Sequence, residues 1–165
     1  VTNILFVSND MALEAMVKKS KELGLDPKIE TNQLSGEARQ VGIEIAQKIN
    51  SALAGTVHLY GGETTVTIAG TGVGGRNQEL VLSALEEIRE DSLILAINTD
   101  GRDNTDHAGA LCDIITKNKA NELNLNSKEF LKNNDSYNFF QKTEDYLLTG
   151  NTNSNVSDLI IALKK

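Results

Sequence analysis

The chain has 165 residues, 39% of them hydrophobic and 24% charged, which is the composition of a globular domain able to bury its own core. The net charge is −7, the Lys and Arg residues are scattered and there is no Trp, which excludes a nucleic-acid-binding surface. A single cysteine, Cys112, excludes an intrachain disulfide and a multi-cysteine metal site. No apolar run approaches the roughly 18 residues of a membrane span and no signal peptide is recognisable, so an intracellular location is expected.

The first third of the chain predicts strands alternating with helices. An apolar run at residues 2–8 is typical of a buried strand, and residues 11–23 carry apolar side chains at helical spacing. A strand at residues 28–31 and a helix at 35–49 follow. Because the chain opens directly on the first strand, at Val1 and without Met, we expect a longer protein to continue before it.

The remaining two thirds continue the alternation. The predicted strands are residues 56–60, 64–70, 92–98 and 146–149, with a last apolar segment at 156–163. The predicted helices are residues 76–89, 108–125, 127–132 and 136–142. Such alternation indicates an α/β fold, which we expect to be a three-layer sandwich with a mostly parallel or mixed sheet.

A glycine-rich loop at residues 70–75 is the first candidate for ligand binding. Four of its six residues are glycines, which allow backbone N–H groups to turn toward one anion. The predicted helix that follows directs its positive end to the same point, and Arg76 adds a guanidinium that can grip a phosphate or carboxylate. The alternative is a glycine-rich surface turn with no ligand.

An acidic loop follows the apolar strand at residues 92–98. It carries three carboxylates within seven residues, Asp100, Asp103 and Asp106. Carboxylates suit Mg²⁺, and an Asp at a strand end could instead accept the proton of a substrate hydroxyl. The alternative is a solvated acidic turn. Glu63, after a Gly-Gly turn, is either part of the same site or an exposed charge.

Residues 70–75 also fit the pattern G-x-G-x-x-G, which binds dinucleotides when it joins a strand to a helix. Two features disfavour this interpretation. The preceding stretch alternates with Thr, whereas a central parallel strand is apolar on both faces. Asp100 comes later than the ribose-binding acid of that pattern and belongs to an acidic cluster. An NAD(P)-dependent enzyme therefore remains the alternative hypothesis.

Ordered motifs along nearly the whole chain resemble one known family. They are residues 61–68 (GGETTVTI), 74–79 (GGRNQE), 99–103 (TDGRD) with 105–106 and 108–110, 134–140 (NDSYNFF), and Thr152, Asn155 and Asp158. Residues 9–10, 12–15 and 36–39 resemble the stretch that precedes these motifs in the same proteins. The family is that of the glycerate 2-kinases with a MOFRL domain. The resemblance divides the chain into a preceding segment, 1–56, and a MOFRL domain, 57–165.

The resemblance implies ATP-dependent phosphorylation of glycerate at its 2-hydroxyl, a requirement for Mg²⁺ and a cytoplasmic location. It also implies that the complete enzyme has an amino-terminal Rossmann-like domain, missing from this chain, with the substrates between the two domains. We therefore expect the chain to fold but to have little kinase activity alone. Related sequences are also called hydroxypyruvate reductase, which keeps the dinucleotide alternative. A non-catalytic binding domain is a third hypothesis, and a homodimer is left open.

Phosphoryl transfer by positioning and charge stabilisation then assigns the roles. Arg76 and Asp100 are the catalytic candidates, and Asp100 and Asp103 the metal ligands. The candidates for binding substrate or phosphate are Gly70, Gly72, Gly74, Gly75, Glu63, Thr64, Asn77, Gln78 and Asn155. Asn104 and Asn153 stand where the family usually has Gly. Since Asn tolerates a left-handed backbone, we expect both turns to persist.

Overall fold

The computed structural model describes residues 7–165, which form six helices and six strands. The helices are α1 (Asn9–Glu22), α2 (Ala38–Asn50), α3 (Arg76–Ala84), α4 (Ile114–Glu122), α5 (Ser127–Lys132) and α6 (Ser136–Thr143). The strands are β1 (Asp26–Leu34), β2 (Thr56–Gly62), β3 (Ser92–Asn98), β4 (Gly109–Cys112), β5 (Tyr146–Leu147) and β6 (Asp158–Lys164). None of these helices has the length and apolar character that crossing a membrane requires.

The six strands form one sheet in the order β1-β2-β6-β3-β4-β5. Within it β1 and β2 are parallel, whereas β6 runs antiparallel to both of its neighbours, and β4 runs antiparallel to β3 and β5. The expected α/β fold with a mixed sheet is confirmed. A mostly parallel sheet is wrong, because β6 inserts between β2 and β3. Those two strands are nevertheless parallel to each other, since both oppose β6.

Helices cover the sheet from both sides and give three layers. On one face the larger core joins α2, α3 and α6 to the sheet, and includes Leu80 and Phe139. On the other face α1 packs Leu13 against Leu59 of β2. Leu59 and its neighbour Tyr60 belong to opposite cores, as the alternation of side chains along a strand requires.

The predicted boundary at residues 56–57 falls inside β2, after its first residue Thr56. β1 lies before the boundary, and it is the hydrogen-bonded neighbour of β2 from Asp26↔Thr56 to Leu34↔Gly62. The segment before residue 57 and the region after it therefore contribute to one sheet. Their division into separate parts stays a prediction.

The strand predicted at residues 64–70 is not part of the sheet. Apart from an isolated bridge between Thr65 and Glu37, its backbone is held by side chains. The amide of Thr67 donates to the Glu37 carboxylate at 3.1 Å, and the amides of Ala69 and Gly70 donate to the side chain of Asn134. The prediction was wrong because alternating Thr, Val and Ile favour an extended backbone without specifying what pairs with it.

The helix predicted at residues 108–125 is also wrong in its first part. Residues Gly109–Cys112 form β4, paired with β3, and the fully buried Cys112 packs in the larger core. The helix begins only at Ile114, where Asp113 caps it by accepting from the amides of Ile115 and Thr116. An apolar run this short fits a strand or a helix equally well.

The other predicted elements are found with shifted ends. The helix predicted at residues 76–89 ends at Ala84, and the strand predicted at 146–149 is reduced to Tyr146–Leu147. The helices near residues 11–23, 35–49, 127–132 and 136–142 are confirmed, as are the strands near 28–31, 56–60 and 92–98. The last apolar segment, residues 156–163, contains most of β6. The strand predicted at residues 2–8 lies largely outside the described residues.

Candidate functional site

The register of the three central strands brings the polar loops to one edge of the sheet. Asp158, the first residue of β6, pairs with Gly62 at the end of β2 and with Asn98 at the end of β3. Adjacent strands lie about 4.8 Å apart, so the turn at Glu63 and the loop at Asp100 start within about 10 Å of each other. The strand ends thus meet as the sequence predicted, although β6 contributes its beginning rather than its end.

Arg76 is fixed at this edge by two carboxylates. Its Nε and Nη2 donate to the two oxygens of Asp158 at 2.5 and 3.1 Å, and its Nη1 lies 3.3 Å from Glu63. Asp158 is 1% exposed, and the Arg76 side chain 30%. The hydrogen bonds to Asp158 raise the pKa of Arg76, while burial raises the pKa of Asp158 against the opposing effect of Arg76. The guanidinium is therefore charged, rigid and partly open to solvent.

Asp103 caps the start of α3 rather than facing solvent. Its carboxylate accepts from the backbone amides of Asn77 and Gln78 at 3.1 and 2.8 Å, and from both of their side chains at 3.2 Å. Burial raises the pKa of Asp103 and these hydrogen bonds lower it. A Cβ on Gly75 would lie 2.1 Å from the Asp103 carbonyl oxygen, so glycine is needed there for the loop to dock. The positive end of α3 is thus already occupied by a carboxylate of the protein itself.

The glycine-rich loop donates most of its amides to the turn between α5 and α6. The amides of Thr71 and Gly72 donate to the side chain and the carbonyl of Asn133 at 3.1 and 2.8 Å, and the amide of Val73 donates to Asp135 at 3.0 Å. A Cβ on Gly70 or Gly72 would come within 2.6 Å of the Asn133 carbonyl oxygen. Two of the four glycines are therefore explained by close contact with this turn, and the amides from Ala69 to Val73 are not free for an anion.

A cavity of about 520 Å³ lies between the glycine-rich and acidic loops, with Arg76 in its wall. Of the predicted site residues, those lining it are Thr64, Gly72, Gly74, Gly75, Arg76 and Asp103. The predicted residues outside its lining are Gly70, Glu63, Asn77, Gln78, Asp100 and Asn155. Asn77 and Gln78 are buried beneath the acidic loop, where they hold Asp103. Glu63 reaches the site through Arg76.

Asp100 lies at the same edge but faces a different neighbour. One carboxylate oxygen of Asp100 accepts from the amide of Arg102 at 2.8 Å, and the backbone carbonyl of Asp100 accepts from the amide of Thr152 at 3.2 Å. The loop at residues 150–157 therefore packs against the acidic loop. Asn155 is exposed and accepts from the amide of Ser157 at 3.1 Å. Arg76 and Asp100 share one edge of the sheet, but Asn155 forms no hydrogen bond with either among the described residues.

No three His, Cys, Asp or Glu side chains within residues 7–165 are grouped closely enough to hold a metal ion by themselves. Both oxygens of Asp103 already accept hydrogen bonds, which disfavours its predicted role as a ligand. Asp100 keeps one carboxylate oxygen without a hydrogen-bond partner among the described residues. A Mg²⁺ site that takes one carboxylate here and its other ligands from substrate phosphates fits these residues better than the predicted pair.

A polar network behind the cavity was not among the predicted site residues. Glu79, which is 2% exposed, lies between Arg39 and Asn134, with 2.6 Å from its Oε1 to Arg39 Nε. Both partners lie within the motifs that carried the family resemblance, at residues 36–39 and 134–140, and that was the available signal. The two turns in which Asn replaces the usual Gly have the expected left-handed backbone, with φ of 58° at Asn104 and 56° at Asn153.

The profile described as "MOFRL family" matches residues 56–158, well over half of the chain. The chain belongs to the MOFRL family. It is 39% identical to a glycerate 2-kinase of Pyrococcus horikoshii over 99% of the chain and 39% of that protein. It is 35% identical to a putative hydroxypyruvate reductase of Agrobacterium vitis over 94% of the chain and 38% of that protein.

Solved structures agree with this family membership. The crystal structure of a glycerate kinase from Thermotoga maritima superposes on 96% of this MOFRL-family chain with a TM-score of 0.92 and 36% identity, and 41% of that protein is covered. The chain thus spans about two fifths of the length of the relatives it matches.

Proposed function

We propose that this chain is part of an ATP-dependent glycerate 2-kinase, and that its cavity binds one of the two anionic substrates. The observation that carries the proposal is Arg76, a guanidinium held by a buried carboxylate in the wall of a cavity at the meeting point of the strand ends. The names of the relatives, glycerate 2-kinase and glycerate kinase, supply the reaction. Because the chain covers only part of their length, the activity belongs to a longer protein.

The chemistry asks the protein to position groups and to stabilise charge. Asp158 and Glu63 engage part of the Arg76 guanidinium, and its remaining N–H groups are available to a phosphate or to the carboxylate of glycerate. A fixed guanidinium stabilises charge that develops in the transition state without first reorganising. Thr64, Gly74 and Gly75 complete the wall around the bound anion.

Magnesium, when bound with ATP, would draw negative charge from the phosphates. Asp100 is the residue that we propose as its ligand, or as the acceptor of the hydroxyl proton, because one of its oxygens has no partner in the described part of the chain. Asp103, Asn77 and Gln78 would act indirectly, by fixing the acidic loop on α3. The predicted role of Asn155 would require the loop at residues 150–157 to meet a substrate bound outside the cavity.

The remaining partners follow from the resemblance and from the length of the relatives. We expect the other part of the protein to close over this edge of the sheet and to contribute the rest of the site. The amino-terminal position of that part, the low activity of the chain alone, the homodimer and the cytoplasmic location stay predictions.

The dinucleotide alternative has lost its structural context. The pattern at residues 70–75 binds a pyrophosphate when a sheet strand leads directly into it, whereas residues 64–70 lie outside the sheet. The amides of Gly70 and Gly72, which would face the pyrophosphate, donate to Asn134 and Asn133. The name of the Agrobacterium vitis relative is the observation that keeps a reductase as the second hypothesis.

The test uses the complete protein that contains this chain. Purified protein is supplied with MgATP and D-glycerate, and ADP is followed while NMR distinguishes 2-phosphoglycerate from 3-phosphoglycerate. We expect 2-phosphoglycerate in the wild type, and a large loss in Arg76→Ala but not in Arg102→Ala, which removes an exposed arginine from the acidic loop. Oxidation of NADH with hydroxypyruvate, without glycerate phosphorylation, would establish the reductase instead.

A further inference from the structure

A buried carboxamide, that of Asn134, holds the backbone of residues 67–70, where the chain enters the glycine-rich loop. This residue lies between α5 and α6, is 7% exposed and has a left-handed backbone with φ of 53°. Its Oδ1 accepts from the amides of Ala69 and Gly70 at 2.7 and 2.9 Å. Its Nδ2 donates to the carbonyl of Thr67 at 3.2 Å. Together with Glu37, which accepts from the amide of Thr67, this side chain holds the stretch that contributes Ile68 to a wall of the cavity.

The other side of the carboxamide is held by a buried charge. Nδ2 of Asn134 also lies 3.1 and 3.3 Å from the two oxygens of Glu79, whose carboxylate is paired with Arg39. Arg39 in turn donates to the carbonyl of Leu131 in α5. The chain of contacts runs from α2 through α3 to the loop, so each member limits the movement of the next.

An amide is the side chain that these contacts require. Oδ1 must accept from two backbone amides, while Nδ2 must donate to the carboxylate of Glu79. Only an asparagine carboxamide of this length offers an acceptor and a donor together. A carboxylate in its place would satisfy the loop amides but would face Glu79 with a like charge.

We propose that Asn134 is a positioning residue of the catalytic site: by holding residues 67–70, it sets the wall of the cavity in which Arg76 binds the anionic substrate. This rests on the proposed function. The cavity lining includes Ile68, Gly72, Glu79 and Asn134 itself, so a displacement of the loop changes the space for the substrate. Asn134 acts through the loop and does not need to contact the reacting atoms.

The kcat/KM of the variant Asn134→Asp should depend on pH, because an aspartic acid side chain can donate a hydrogen bond only when it is protonated. The charged groups near the new carboxyl are Glu79 of α3, Arg39 of α2 behind it, and Asp135 of the same turn. The charge of Glu79 favours a protonated carboxyl, which can donate as the amide did. We expect kcat/KM relative to wild type to be about tenfold lower at pH 8 and to recover several-fold toward pH 6.

The experiment also needs a variant that lacks the side chain and a matched control, both made in the complete protein. Asn134→Gly removes the side chain and tolerates the left-handed backbone. Asn124→Gly makes the same change at an exposed position with φ of 52°, in the turn after α4. We expect Asn134→Gly to lower kcat/KM about tenfold at every pH, mainly through KM, and Asn124→Gly to stay within about twofold of wild type.

The outcomes separate this inference from the function on which it rests. A constant ratio of Asn134→Asp to wild type across pH, or wild-type kinetics in Asn134→Gly, would overturn the positioning role even in an active kinase. If the wild-type protein does not phosphorylate glycerate, the proposed function fails. Hydrogen exchange at Ala69 and Gly70 would then still decide whether Asn134 holds the loop, since unchanged protection in Asn134→Gly would contradict it.

Discussion

The glycine-rich loop and the acidic loop both carry ligand-binding signatures, yet they use their polar groups differently. The glycine-rich loop gives its amides from Ala69 to Val73 to side chains and a carbonyl of the α5–α6 turn. The acidic loop gives Asp103 to the start of α3 but leaves one oxygen of Asp100 unengaged. A motif therefore shows which groups converge on a place. Whether they remain free for a ligand depends on distant segments of the chain.

Removal of the Asp103 carboxylate should have the largest effect on stability. In Asp103→Ala the buried amides of Asn77 and Gln78 lose their acceptor, so we expect the free energy of unfolding to fall by about 3 kcal/mol or more. Urea denaturation measures this loss. Asp106→Ala, which removes an exposed acid from the same loop, should change it by less than about 0.5 kcal/mol. Equal effects of the two variants would refute the capping role.

The variant Arg76→Ala tests whether the solvent-accessible part of the guanidinium binds an anion. Under the proposed function, Arg76→Ala in the complete protein should lower kcat/KM about thirty-fold, corresponding to about 2 kcal/mol of transition-state binding. Steady-state kinetics with each substrate varied in turn would show whether the loss falls on glycerate or on ATP. Wild-type kinetics in this variant would remove Arg76 from the site.

The free energy of unfolding should depend on pH through His107, which directly follows the acidic loop. This residue is 2% exposed and stacks between Tyr137 and Tyr146, with ring centroids 4.3 and 4.1 Å away. Burial lowers its pKa from the ordinary 6.5, and the charge of Asp106 opposes that shift. The unfolded chain therefore binds the proton first as the pH falls. Stability contributed by neutral His107 is complete above pH 6.5 and is lost as the pH falls toward its folded pKa.

Chemical denaturation between pH 7.5 and 5 measures this contribution. We expect His107→Phe, which keeps an aromatic ring in the stack, to lose less stability over that range than the wild type. His58 is buried too and its pKa is lowered, but it titrates in both proteins and so cancels from the difference. An identical pH dependence in the two proteins would show that His107 does not titrate in this range.

The smallest expected effect concerns the left-handed asparagines. Asn153→Gly restores the usual residue of the family at φ of 56° and should alter the free energy of unfolding by no more than about 0.5 kcal/mol. Asn104→Gly should be less favourable, because Asn104 also donates to the carbonyl of Gly74 at 2.9 Å. Thermal denaturation of both variants would reveal a reversed order if that hydrogen bond contributes nothing.

The sequence predicted most elements and the edge of the sheet at which the site forms, because local periodicity and polar strand ends are properties of short segments. Pairing was harder to predict. Nothing near Asp158 indicates that β6 inserts between β2 and β3, or that its first residue would bind Arg76. The sequence pattern assigned Gly70 and Gly72 to ligand binding. Both glycines instead pack against the α5–α6 turn, which could not be foreseen because that turn lies more than sixty residues away in the chain.

The central position of β6 has a consequence for how the protein is made. Residues 158–164 supply the strand that joins the β1–β2 pair to the β3–β4–β5 group, so a ribosome must deliver them before the two halves of the sheet can meet. Arg76 is translated about eighty residues before its carboxylate partner Asp158. Assembly of the edge that carries Arg76 is therefore a late event during synthesis, and shortening the chain before residue 158 should leave two unjoined pieces of sheet.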